Sequence, residues 1–272
     1  WFWIMTMLFL MGLHSAIFGP ALNGSIPEHF PGERITRING TLKMTSTMAI
    51  LIGIACAGIV LDLQAPVFGT MPLGQALIAG TVILVSLMGL VATLGIRKYQ
   101  AAAPDKPFPW AGPVHSLRHV IALRKDPQLL LAVMSDAFFY FLAALVVLII
   151  NSYGIEQLGL SRTLTSLMSV ALMVGVSMGA VVASRFAGIE NWTRALRPGL
   201  FGMGAGLAAA ALTAYLPESV RVPFLFASFI IAGFSGGFFI IPVTSFIQVR
   251  PLETDKGQVL AVVGFCSFVG IL

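Results

Sequence analysis

Stretches of about twenty mostly apolar residues, each long enough for one helix to cross a bilayer core, recur along the whole chain. They fall at 1–20, 44–62, 73–95, 128–150, 163–184, 199–216, 223–247 and 257–272, with the first and last read as incomplete. Charge is scarce in proportion. Only 10% of the 272 residues are charged and 57% are hydrophobic, against about a quarter charged in a water-soluble domain. Such a chain cannot cover a soluble fold with polar side chains, which excludes a soluble enzyme or binding module. The solvent is lipid. Alternating strands of about ten residues, the pattern of a membrane barrel, do not occur in the sequence. The expected fold class is an all-α integral membrane bundle of about eight spans.

The separators carry helix-ending chemistry: Gly19-Pro20, Pro66, Pro104 with Pro107 and Pro109, Pro198-Gly199, Pro217 and Pro251. They also carry the charge. Of the 16 basic residues, fourteen lie in loops 21–43, 96–127, 185–198 and 248–256, and only Arg162 and Arg221 lie in the opposite loops. An excess of Lys and Arg marks cytoplasmic loops, so residue 1 is expected outside and the first helix runs inward. A chain without a signal peptide usually begins inside, so an odd number of upstream helices is expected and the chain reads as a fragment. The longest and most basic loop, 96–127, reads as a cytoplasmic linker between half-bundles 1–95 and 128–272. The bases lie between apolar runs and form no patch on a polar face, which argues against nucleic acid as a partner. They fix orientation, with anionic lipid headgroups as a lesser reading. Cys56 and Cys266 lie inside apolar stretches, so no disulfide framework, metal site or cofactor is expected.

Two stretches echo one another. One ends an inward-running helix with Gly12-Leu13-His14-Ser15-Ala16-Ile17-Phe18-Gly19-Pro20, and the other with Gly236-Gly237-Phe238-Phe239-Ile240-Ile241-Pro242. Each is followed by a short basic loop and a new helix, as in a parallel repeat. The stretch from Phe18 through Asn23 and Pro27 to Glu28, with Arg37-Ile38-Asn39-Gly40, resembles the segment after the fourth helix in one branch of the major facilitator superfamily. That branch contains the bacterial lysophospholipid transporters, free-standing or fused to an acyltransferase and an acyl-carrier-protein synthetase. Gly236 through Pro242, Phe246-Ile247-Gln248 and Gly257-Gln258-Val259-Leu260-Ala261 resemble the matching piece after the tenth helix. Many members have Lys-Tyr where this chain has Leu22-Asn23, and an Asn near Thr244-Ser245. The resemblance implies an incomplete major facilitator bundle covering helices four to ten and the start of eleven, in the bacterial inner membrane. It implies secondary active transport of lysophospholipid by alternating access, without catalysis. A small-molecule or drug exporter and the transporter part of a bifunctional acyltransferase are the alternatives.

In that family the first, fourth, seventh and tenth helices line the cavity, which points to His14, Asp136 with Tyr140, and Ser235. Asp136 is an acid well inside a span, where charge is costly and faces water or a partner. Tyr140, Ala143, Ala144, Val147 and Asn151 follow it on one helix face. The competing reading is a structural acid capped by a neighbouring helix. His14 and Asp136 lie at similar expected depths, about 9 and about 12 Å from the inner ends of their spans, which makes a pair conceivable. Gly175-Val176-Ser177-Met178-Gly179 matches the nucleophile pattern G-x-S-x-G, but that motif needs a strand-to-helix turn and here lies mid-span. Gly175 and Gly179, and likewise Gly202 and Gly206, read as small-xxx-small packing faces. On that reading Gly179→Ala is mild and Gly179→Leu is not. The sequons at Asn23, Asn39 and Asn191 are chance matches in loops expected inside the cell.

Overall fold

The computed structural model describes residues 1–61, 63, 65–68, 71–95, 111–252 and 254–272. Linker residues 96–110, with the proline cluster and Arg97, Lys98 and Lys106, lie outside the described residues. The helices are α1 (Phe2–His29), α2 (Gly32–Leu61), α3 (Leu73–Thr93), α4 (Gly112–Ala122), α5 (Pro127–Ser152), α6 (Arg162–Phe186), α7 (Trp192–Leu212), α8 (Glu218–Val249) and α9 (Lys256–Ile271). Seven of the described helices are long and apolar enough to cross a membrane, and α9 is a shorter apolar helix. A short antiparallel pair, β1 (Pro66–Phe68) with β2 (Met71–Pro72), precedes α3.

Several helices run past the residues expected to end them. Pro20 and Pro27 lie inside α1, Pro198 inside α7, and Pro223 and Pro242 inside α8. An interior proline removes one backbone hydrogen bond, whereas ending a helix frees four carbonyls. In and near lipid the second cost is the larger, so the helix continues. The expected loop 21–43 is consequently almost all helix, broken only around Phe30 and Pro31. At 28 and 32 residues, α1 and α8 are about 42 and about 48 Å long. Both exceed the roughly 30 Å hydrocarbon core and project beyond it.

Compactness divides the chain into Trp1–Met44 with Lys106–Leu272, and Thr45–Asp105. The smaller unit holds the outer part of α2, the β1–β2 pair and α3. The pair is tied to α3 by Leu73 N–H donating to Ala65 O at 2.7 Å and Gly74 N–H donating to Leu63 O at 2.9 Å.

In the larger unit α8 is the buried centre, flanked by α6 and α7. Glycines set the spacing. A Cβ at Gly175 or Gly179 of α6 would fall on the carbonyl oxygens of Ile230 and Phe234, and a Cβ at Gly233 or Gly237 of α8 would fall on those of Leu172 and Val176. The two backbones therefore meet through reciprocal glycine pairs. Alanine at Gly179 would meet rigid backbone, so the expectation of a mild Gly179→Ala does not hold. Ser177 Oγ donates to Met173 O at 3.2 Å, a bond within its own helix. On the α7 side a Cβ at Gly206 would lie 2.7 Å from Ala232 N, and one at Gly202 would strike the Ser235 side chain. Gly236 faces Phe139. Apolar packing around Trp192, Phe246, Val262 and Leu260 ties α7, α8 and α9 together, with the Trp192 and Phe246 rings stacked at 4.6 Å.

Candidate functional site

Within the larger unit a cavity of about 570 Å³ is bounded by α1, α5, α8 and α9. Its polar lining includes Ser15, Asn23, Asp136, Tyr140, Thr244 and Ser267. Ile247, Leu260, Phe265, Phe268 and Ile271 give it an apolar wall. Gly19 and Pro20 line it from α1.

Asp136 is only 4% exposed. Ser267 Oγ, from α9, donates to its Oδ2 at 2.7 Å. Half-buried Lys43 lies close enough for its charge to act on the carboxylate. Lys43 was expected in a loop, but it sits in α2. Thr36, Asn39, Gly40, Lys43 and Thr47 recur every three or four residues and share one face of that helix. Four of these five are buried. This three-to-four spacing is helical and sets the segment apart from a loop.

His14 does not join this group. The helix α1 does not end near His14 but continues to His29, and His14 is absent from the cavity lining although its neighbour Ser15 is part of it. Its ring is exposed and stacked on Phe18 at 5.7 Å. Ser235 is buried at the α7–α8 contact against Gly202 and is not among the cavity-lining residues.

At the far end of α1 and α8 the cavity borders an amide chain through Asn23. Asn39 Nδ2 donates to Ser245 Oγ at 2.9 Å and to Gln248 Oε1 at 2.8 Å. Gln248 Nε2 donates to Asn23 Oδ1 at 3.2 Å, and Ser245 Oγ donates to Ile241 O at 2.7 Å. The amide nitrogens of Asn39 and Gln248 both find acceptors, which is what makes burying them tolerable. Gln248 is 1% exposed, while Asn23 reaches the cavity. Asn23 and Ser245 lie at or beside the two places where the sequence departs from the pattern it resembles. Pro27 and Pro242 lie in the helices that carry the network.

Beyond the amides, Asp126 caps α5 by accepting from Leu129 N–H at 3.2 Å and pairs with Arg250 Nε at 2.9 Å. The hydrogen bond from Arg250 holds the Asp126 carboxyl below its usual range. The Arg250 guanidinium lies 5.9 Å from the Phe246 ring centre.

Apolar helices thus surround a cavity with polar and apolar walls. The Major Facilitator Superfamily family model matches residues 1–272, and the chain belongs to that superfamily. It is a multi-pass protein of the bacterial inner membrane. It is 26% identical over 256 residues, 93% of the chain, to the lysophospholipid transporter LplT of Yersinia enterocolitica. The LplT of Serratia proteamaculans is also 26% identical over 93% of the chain, and that of Klebsiella pneumoniae is 23% identical over 97%. The chain spans 59%, 60% and 63% of these relatives' lengths respectively.

Proposed function

We propose that this chain forms part of a secondary active transporter that moves lysophospholipid across the inner membrane by alternating access, with no covalent chemistry. The moving parts are half-bundles 1–95 and 128–272, joined by the cytoplasmic linker 96–127. The observation that carries the reading is the make-up of the cavity. A lysophospholipid has one polar headgroup and one acyl chain, and needs polar and apolar walls side by side. Asp136, Tyr140, Ser267 and Asn23 supply the first, and Phe265, Phe268 and Ile271 the second. The volume of about 570 Å³ falls among ligand-sized cavities.

The amide chain serves as the closed cytoplasmic gate, since it joins α1 and α2 to α8 at the end that loop charge assigns to the cytoplasm. Opening it exchanges each protein–protein bond for a bond to water, at modest net cost. A fused or neighbouring acyltransferase, which esterifies the free hydroxyl of a lysophospholipid, is the partner that fits this reading.

The test is binding by the full-length protein in nanodiscs, read by electron paramagnetic resonance of a spin-labelled lysophospholipid. Displacement by unlabelled lysophospholipid and not by diacyl phospholipid is the expected result, with weaker binding in Asp136→Asn. Displacement by cationic amphiphilic drugs alone would favour a small-molecule exporter.

A further inference from the structure

The short helix α4 (Gly112–Ala122) lies outside the spans and has two unlike faces. At about 100° per residue, Leu123, Val120 and His119 point to one side. Leu123 is buried, Val120 packs on the core of the larger unit, and His119 lines a cavity with Gln258 and Val259 of α9. Val114, Leu117 and Ile121 fall within an arc of about 60° on the other side. They are 52%, 55% and 54% exposed. Arg118 flanks this stripe one step around the helix, and Arg124 and Lys125 follow in the next turn, all three exposed.

We propose that α4 is an interfacial helix seated in the cytoplasmic leaflet, its apolar stripe among the upper acyl segments and its bases on anionic phospholipid headgroups. Three apolar residues in a row on a helix held at a protein's edge are a contact surface. A stripe bordered by Arg and Lys fits the boundary between acyl chains and anionic headgroups. The height also fits. Only the turn Leu123–Lys125 and Asp126 separate α4 from Pro127, where the span α5 begins, so α4 lies at the level at which the chain enters the bilayer. Its opposite face is fixed on α9, which orients the stripe outward. Seated there, α4 anchors the start of α5 and of α9, the two helices that carry Asp136 and Ser267.

The test uses the full-length protein with Cys56→Ser and a nitroxide on Leu117→Cys, reconstituted in vesicles. The Cys56→Ser protein serves as the labelling blank, because Cys266 is buried. Power saturation compares collisions with oxygen, which concentrates in lipid, and with a water-soluble nickel chelate. In vesicles of phosphatidylcholine with phosphatidylglycerol, oxygen should exceed nickel several-fold at position 117 and again for a label on Ile121→Cys. The excess should shrink in phosphatidylcholine alone, or when Arg118, Arg124 and Lys125 are all changed to Gln. A label open to nickel would put the stripe in water and overturn the proposal. A label shielded from both reagents would mean that protein covers the stripe, which equally overturns it. Lipid exposure indifferent to headgroup charge would remove the anionic leaflet as the partner.

Discussion

Asp136 is buried and accepts from Ser267, and the Lys43 charge on α2 acts on its carboxylate. Asp136→Asn and Lys43→Gln each remove the attraction between the two charges. Coupled neighbours are non-additive, with interaction energies of about 0.5–3 kcal/mol. Each single variant is therefore expected to lower thermal stability in detergent, and the double variant to lose less than the sum of the two. Additive losses in the double variant would show that the two charges act independently. At the amide chain, Asn39→Leu leaves Gln248 Oε1 without its donor, at about 1–3 kcal/mol for a buried group left unpaired, while Ser245 Oγ keeps its bond to Ile241 O. Asp126 gives a pH signature. Its carboxyl is held below the usual range by Arg250, so its contribution is full at neutral pH and fades as pH falls through the folded-state pKa. The pair is partly exposed, 47% and 32%, so it is worth under about 1 kcal/mol after screening. Melting curves of Arg250→Gln should lie slightly below wild type at pH 7 and merge with it in acid. A gap that widened in acid would contradict a lowered Asp126 carboxyl.

At the scale of the element, the test is Gly179→Ala. Overpacking a close contact costs about 1–3 kcal/mol, and here the obstacle is the Phe234 carbonyl, which no rotamer can move aside. Gly204→Ala on α7 is the control, because nothing lies within 4 Å of its Cβ. Lower expression and a lower melting temperature are expected for the first and not for the second, and equal behaviour would put the α6–α8 approach in error. Helix interiors were legible in the sequence because hydropathy is a bulk property of twenty residues. Helix ends were not. Once α1, α2 and α8 pass beyond the hydrocarbon core they carry Asn23, Arg34 and Gln248, and a polar helix end looks like a loop to any hydropathy reading. The face Thr36–Asn39–Gly40–Lys43–Thr47 held the missing signal, in its spacing. Asp136 stood out because an acid in an apolar run is rare. Its partners Ser267 and Lys43 did not, since nothing local links residues on three different helices.

For the whole molecule, loop charge places 185–198 and 248–256 on the cytoplasmic side and 63–72 and 151–162 outside. Single cysteines labelled with an impermeant maleimide on intact cells should react in the second pair and not the first. Labelling of 185–198 from outside would invert the topology and move the amide gate to the wrong face. On the proposed function, the cavity around Asp136 and the amide gate beneath it carry a lysophospholipid across the bilayer. The most direct measurement is flipping of a fluorescent lysophospholipid in proteoliposomes, scored by dithionite quenching at equal protein insertion. Rapid flipping by the full-length protein, strong loss in Asp136→Asn, and a changed rate in Asn39→Leu are expected. Flipping at the protein-free rate, or a rate untouched by both substitutions, would contradict the proposed function.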